Sequence, residues 1–329
     1  MVFCRDLFLG TMSFMSSVTT RLIPFGEYST WVRTETPDAP REGALPLVVL
    51  HGGPGMAHNY VRNIGLLADE TGRTVIHYDQ LGCGNSTHLP DAPADFWTPQ
   101  LFVDEFANLL EELDLDRVHL LGQSWGGMLA AEIAVRCNPA LASVSICNSP
   151  ASMPLWSQAA SALRDELPAE VQGALDRHEA ARTLDDPEYV AASAVFYERH
   201  VCRVTPTPPD FQESVDQMEA EPTVYHTMNG PNEFHVVGTL GSWTVVDRLD
   251  RIDTPTLVVA GEFDEATPAT WEPFATRIAG ATTHVFAGAS HCVHLEQPEI
   301  FRAEIAHFLS KHDLSTHDYS TSDRRDLTS

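Results

Sequence analysis

Chemistry is most legible at a serine set in the pentapeptide Gly122-Gln123-Ser124-Trp125-Gly126. The apolar run Val118-His119-Leu120-Leu121 precedes it, and a stretch with helical spacing, residues 128–136, follows. Strand, G-x-S-x-G and helix in that order describe a nucleophile elbow, a turn sharp enough to lift the hydroxyl above the ends of a sheet. A serine hydroxyl is a weak nucleophile and needs a base, plus a group that orients the base. Two later positions suit those roles, each just past a strand-like apolar run. Asp264 follows residues 257–260 through Gly261-Glu262-Phe263, and His291 follows residues 285–286 through Ala287-Gly288-Ala289-Ser290. In that arrangement His291 takes the Ser124 proton and returns it to the leaving group, while Asp264 holds the imidazole in one tautomer. Taken singly, Asp264 reads as a turn residue and His291 is one of 15 histidines. Their order and placement together point to a triad. His294 reads as a packing residue, and no second cluster with metal-ligand spacing accompanies the two histidines, so no metal is expected.

A tetrahedral intermediate would need preorganised donors for its oxyanion. The backbone N–H of Trp125 is one by elbow geometry. The second is expected from Gly53, in the loop His51-Gly52-Gly53-Pro54-Gly55. A phosphate cradle is the other use of such a loop, but the lysine and spacing of a P-loop are missing. No organic cofactor is implied.

These loops must be held by a regular scaffold. Residues 20–24 and 28–35 read as a hairpin about Gly26, and residues 45–50 as a central strand covered on both faces. Further strands are expected at residues 74–79, 118–121, 141–147, 254–260 and 283–286. Residues 99–113 repeat Leu101, Phe102, Phe106, Leu109, Leu110 and Leu113 at helical spacing, and residues 298–309 close the pattern with another helix. Strands alternating with helices imply a mostly parallel sheet with helices on both faces. The rhythm stops after Pro150. Residues 152–249 carry helical stretches, prolines at 206, 208, 209, 222 and 231, and no buried parallel strand. They are expected to form a helical cap over the strand ends. The core is then residues 18–151 and 250–310. Residues 1–17, with alternative starts at Met12 and Met15, are expected to be a disordered extension, and the polar residues 311–329 a disordered tail.

With 20 basic and 46 acidic residues, the formal net charge is -26. Such a surface repels phosphate backbones and anionic lipid, which argues against nucleic-acid or membrane partners. The six cysteines contain no C-x-x-C pair and read as free thiols in a reducing compartment. With no signal-peptide core and no apolar run long enough to span a bilayer, a cytoplasmic location is expected. Oligomeric state leaves no mark on the sequence.

Four motifs, HGGPG at 51–55, DQLGCGNS at 79–86, GQSWGG at 122–127 and GEFDEATP at 261–268, together resemble the proline iminopeptidase family of α/β-hydrolases. MNGPNEF at 228–234 and GTLGSW at 238–243 are similar to its branch of tricorn-interacting aminopeptidases and L-amino-acid amidases. The resemblance spans residues 22–309, the insertion included. It implies an α/β-hydrolase fold with a helical cap inserted between core strands. It also implies a serine exopeptidase that releases an unblocked N-terminal residue, proline or another small or apolar one, through an acyl-enzyme. Substrates would be short peptides or amino-acid amides with a free N-terminus. By family position, Glu233 in the cap and Glu265 beside Asp264 would bind the substrate's ammonium, with charge-assisted hydrogen bonds of about 1.5–3 kcal/mol each. Trp125 departs from the tyrosine found in many relatives, and its ring would reshape the pocket. A carboxylesterase or lactonase with the same triad is the enzymatic alternative, and a non-catalytic ligand receptor the other. Epoxide hydrolases and haloalkane dehalogenases are disfavoured, because they use aspartate where this chain has Ser124.

Overall fold

The computed structural model describes residues 16–136 and 138–314. In chain order its strands are β1 (Ser17–Phe25), β2 (Tyr28–Thr36), β3 (Leu47–Leu50), β4 (Val75–Asp79), β5 (Val118–Gln123), β6 (Leu141–Cys147), β7 (Thr256–Gly261) and β8 (Thr282–Phe286). They form one sheet ordered β1-β2-β4-β3-β5-β6-β7-β8. The β1–β2 and β2–β4 pairs are antiparallel and every later pair is parallel. The hairpin turns at Gly26, as its sequence suggested. Strands β3 through β7 are buried along their whole length, which is why they read as unbroken apolar runs. β8 is an edge strand, mostly exposed, with Phe286 its one buried residue.

The helices outside the β6–β7 connection are α1 (Leu67–Thr71), α2 (Pro99–Glu112), α3 (Trp125–Ala134), α9 (Pro268–Arg277), α10 (Val293–Glu296) and α11 (Pro298–Ser310). Between β6 and β7 lie α4 (Met153–Asp165), α5 (Ala169–Ala181), α6 (Pro187–His200), α7 (Pro209–Ala220) and α8 (Thr223–Met228). α2 starts where Thr98 caps the Leu101 N–H and Pro99 presets the first turn. It then buries Phe102, Phe106 and Leu109 against the sheet. α3 is buried on every side, as expected of a helix that is apolar all round and leads directly from the central strand. Its one acid, Glu132, accepts hydrogen bonds from Arg136, Arg248 and the Trp243 indole. Burial works to raise the Glu132 pKa, but these donors outweigh it and hold the carboxyl below its usual range.

The β6–β7 insertion leaves and re-enters the core through a single stem. Ser152 and Thr244 form an antiparallel bridge, Met153 N–H donates to Trp243 O at 2.9 Å, and Val245 N–H donates to Ala151 O at 3.0 Å. Its helices carry a small core of their own around Leu175, Tyr189, Phe196 and Phe234. α7 lies across the segment that follows β3, where Ser214 bonds to Tyr60 N–H and to Ala57 O.

The two chain ends depart from the expected boundaries. Ser17 already belongs to β1, and order persists beyond residue 310 to Leu314, whose N–H donates to Gly43 O. The remaining residues of both expected disordered segments, 1–15 and 315–329, lie outside the described residues. Asp313 explains the order at the C-terminal end. Its carboxylate accepts from both terminal Arg73 guanidinium nitrogens (3.2 and 3.1 Å), Leu45 N–H (3.0 Å) and Arg41, and pairs with His119 Nε2 at 3.0 Å. Its side chain is 4% exposed and that of Arg73 is fully buried. A polar composition suggested a free tail because the partner of Asp313, a buried arginine more than two hundred residues earlier, is invisible in local sequence.

Asp313→Ala should cost about 3–5 kcal/mol, because it leaves the Arg73 guanidinium buried and unpaired; urea unfolding at neutral pH measures it. Burial tends to raise the Asp313 pKa, but its hydrogen bonds outweigh that and hold it well below 3.8. Its contribution is therefore complete above that value and is lost as pH falls below it. The gap between wild type and variant should close in acid, and a gap constant from pH 7 into that range would refute the assignment.

Candidate active site

Ser124 sits between the last residue of β5 and the first of α3 with φ 56° and ψ -123°, a conformation that non-glycine residues rarely adopt. Two close approaches require the flanking glycines. A Cβ on Gly122 would lie 2.0 Å from Gly126 O, and one on Gly126 would lie 2.3 Å from Leu50 O. The turn is pinned to the neighbouring strand by Ser124 N–H donating to Cys147 O at 2.9 Å.

Asp264 and His291 lie on the loops that follow β7 and β8, at the same end of the sheet. His291 Nδ1 is 2.8 Å from Asp264 Oδ1, and both residues are buried. Asp264 Oδ1 also accepts from Ala266 N–H at 2.8 Å, while Oδ2 accepts from the Asn148 amide at 2.6 Å. Ser124 and His291 line one cavity. His294 is not part of it. The His294 ring is fully buried, its Nε2 lies 3.0 Å from Tyr60 O, and burial lowers its pKa to about 3. It packs, as its sequence position suggested.

A chain of bonds ties the glycine loop after β3 to the elbow and the histidine. Gly52 N–H donates to the Tyr60 hydroxyl at 2.6 Å, Tyr60 donates to Gln123 Oε1 at 2.5 Å, and the Gln123 amide donates to His291 O at 3.1 Å. Gly52 is thus occupied, which leaves Gly53 as the glycine of that loop whose backbone faces the cavity beside Ser124. The Trp125 ring turns inward, its indole N–H donating to Gln80 Oε1 at 2.8 Å. With Pro54, Met128, Met153, Trp156 and Leu240 it walls a small apolar recess next to Ser124.

Glu265 reaches this centre from the loop after β7 and Glu233 from the insertion. Glu265 follows Asp264, is 1% exposed, and has no hydrogen-bond partner for either carboxyl oxygen. One of those oxygens lies 3.8 Å from His291 Nε2. Burial raises its pKa well above the usual value, and the charges of Glu233 and Asp264 add to the effect. Glu233 enters from the insertion and accepts from the Tyr225 hydroxyl at 2.6 Å; burial raises its pKa too, partly offset by that bond and by His291. Tyr225, buried, and Tyr197, half-buried, stand beside the acids, and both phenols are pushed far above their ordinary value by desolvation, with the Glu233 charge adding to it. Trp156 completes the surround. Its N–H donates to Glu233 O at 2.7 Å, and its ring meets the His291 ring edge-on at 5.9 Å.

Around His200 the insertion is docked onto the catalytic loops. His200 O, at the end of α6, accepts from both His291 N–H (3.1 Å) and Glu265 N–H (3.3 Å), and Cys292 N–H donates to Val201 O at 2.9 Å. All seven residues singled out from the sequence therefore converge: Ser124, Asp264, His291, Gly53, Trp125, Glu233 and Glu265. Sequence reasoning missed Asn148, Tyr60, Tyr197, Tyr225, Trp156 and His200. Asn148 carried a signal, since it ends a parallel strand just as Ser124 does and adopts φ 51°.

A family described as the alpha/beta hydrolase fold matches residues 46–298. Among curated proteins, the proline iminopeptidase of Lactobacillus delbrueckii subsp. lactis is 38% identical over 275 residues, covering 83% of this chain and 92% of that protein. The proline iminopeptidase of Heyndrickxia coagulans is 37% identical over 270 residues, or 82% and 91% of the two chains. Among solved structures, a proline iminopeptidase of Mycobacterium smegmatis is 68% identical with a TM-score of 0.86, covering 90% of this chain and 99% of that one. The structure of VinJ is 47% identical with a TM-score of 0.86, covering 89% and 99%. A protein described as an N-acyl homoserine lactone degrading enzyme, 22% identical with a TM-score of 0.58, shares the fold alone.

Asn148→Ala should leave Asp264 Oδ2 with a single long bond, from Gly261 N–H at 3.4 Å. Urea unfolding should show a loss of about 1–3 kcal/mol. The rate at which a fluorophosphonate labels Ser124 should fall about tenfold, since a less firmly held aspartate orients the histidine less well. Labelling at the wild-type rate would show that Asn148 does not support the acid.

Proposed function

The chain belongs to the proline iminopeptidase family of α/β-hydrolases and is a hydrolase of that type; we propose that it releases the unblocked N-terminal residue of short peptides or amino-acid amides through an acyl-enzyme. Glu265 carries this reading: a buried carboxyl with no hydrogen-bond partner, close to both Glu233 and His291. Burying such a group is costly unless a cation arrives to pair with it. The free ammonium or iminium of a substrate's first residue is that cation. An ester or lactone hydrolase has no use for the arrangement.

In the proposed mechanism the substrate ammonium sits between Glu233 and Glu265 and draws both carboxyls into their ionised forms. The first side chain points toward the recess of Trp125, Met128 and Leu240. This places the carbonyl carbon over Ser124, with its oxygen toward the Trp125 and Gly53 N–H groups. His291, oriented by Asp264, removes the Ser124 proton as the hydroxyl attacks. It then delivers that proton to the departing nitrogen, which leaves the acyl-enzyme. Water repeats the sequence and frees the residue. The insertion acts as a cap whose Glu233 measures the distance from the N-terminus to the scissile bond. That distance admits one residue.

A panel of aminoacyl arylamides, with and without an N-acetyl group, run beside p-nitrophenyl esters, tests the reading. Free-amine arylamides should be cleaved, N-acetylated ones not, and Ser124→Ala should abolish turnover while the protein stays folded. Rapid hydrolysis of the blocked substrates would favour an esterase. Glu265→Gln should raise KM for free-amine substrates about tenfold or more, consistent with a lost charge-assisted bond, with little effect on simple acyl esters.

The raised carboxyl pKa values give a pH signature. Below them the acids are protonated and do not pair with an ammonium, so KM for free-amine substrates should fall as pH rises through that range. It should climb again only when the substrate amine loses its own proton. A KM that is flat across the acidic limb would detach Glu233 and Glu265 from substrate binding.

A further inference from the structure

We infer that this enzyme prefers a leaving group with an apolar residue next to the scissile bond and no carboxylate close to it, so that a simple dipeptide is disfavoured relative to its amide. The inference rests on the aminopeptidase reading and concerns the half of the site that reading leaves open. Two cavities meet at Ser124. Gly53, Ser124 and Glu233 line both, whereas His291 lines only the larger. The histidine must face the departing nitrogen to protonate it, so the leaving group lies in the larger cavity.

The larger cavity has a volume of about 510 Å³, room for more than an amide –NH₂. Met56, Val190, Val201, Phe211, Val215 and Met218 supply much of its wall. Its charged or titratable members, apart from tyrosines, are Glu219, Glu233 and His291, and no lysine or arginine stands among the described residues that line it. Arg62, which faces α7, is already committed to Asp210 (2.5 Å) and Glu213 (3.3 Å). A dipeptide's carboxylate is only two bonds from the scissile nitrogen. It would be carried into this apolar chamber beside Glu233 with no lysine or arginine to meet it, under the field of a chain of net charge -26. Capping the same carboxylate as an amide removes the charge and keeps the shape. A side chain such as leucine just after the scissile bond would instead gain from the walls.

The test compares kcat/KM of the full-length protein on four substrates that share one N-terminal residue, alanine for instance: Ala-Leu, Ala-Leu-NH₂, Ala-Gly-NH₂ and the alanyl arylamide. Ala-Leu-NH₂ should exceed Ala-Leu by about tenfold or more, the size expected for leaving one charge unpaired, and should also exceed Ala-Gly-NH₂. Glu219 is exposed on α7, so Glu219→Lys can place a cation in the wall without disturbing the core. That variant should narrow the ratio of Ala-Leu-NH₂ to Ala-Leu several-fold. Equal or faster cleavage of Ala-Leu, or a ratio that Glu219→Lys leaves untouched, would overturn the inference while cleavage of the arylamide keeps the aminopeptidase reading intact. If the arylamide and both amides resist, the aminopeptidase reading itself fails, and this inference with it.

Discussion

Everything in this molecule is arranged around one residue held where it would not rest by itself. Ser124 has a left-handed φ, a conformation costing on the order of 1–3 kcal/mol for a non-glycine residue. That cost is met by its neighbours: a fully buried β5 on one side, a fully buried α3 on the other, and a hydrogen bond to β6 across the turn. Because β5 lies between β3 and β6, the loop that carries Gly53 and the turn that carries Asn148 fall on either side of the serine. The two later strands bring Asp264 and His291 to the same end. The sheet order, more than any single contact, places these groups together.

Electrostatically the centre is incomplete as it stands. Asp264 is supplied with donors from three directions, as a carboxylate that must stay ionised should be. Glu265, its immediate neighbour in sequence, is denied them. Two adjacent carboxyls thus receive opposite treatment from the fold, and the difference divides their labour. One steadies an imidazole throughout turnover, and the other is stable as an anion only while something positive is bound. Glu233, delivered by a separate part of the chain, makes the requirement for a cation more stringent.

Much of this could be read from residue order. The elbow, the strand-end aspartate and histidine, and the two resemblance-derived glutamates all belong to short motifs whose spacing reflects local backbone geometry. The buried strands announced themselves because a strand covered on both faces must be apolar throughout. What escaped the sequence is held by distant partners. Tyr60 matters because Gln123 is beside it in space, Asn148 because Asp264 is, and His200 because its carbonyl receives two N–H groups from later loops. None has a neighbour in sequence that betrays the contact. Asp313 is the plainest case: a polar residue in a polar stretch, expected to be disordered, yet joined to a fully buried arginine beside β4. β8 shows the same limit in milder form, since Val285 reads as core but is exposed at a sheet edge.

The insertion enters and leaves the core through paired backbone at Ser152 and Thr244, and Glu132 grips its returning limb from below. From the sheet's side, the whole excursion looks like one closed loop on a fixed base. Its helices can lengthen, shorten or change composition over evolutionary time without shifting the strands that hold Ser124, Asp264 and His291. New chambers can therefore be tried over an unchanged reaction centre. Residues near the docking point at His200 are among those such drift must respect, since a change there would move the acid and the histidine together.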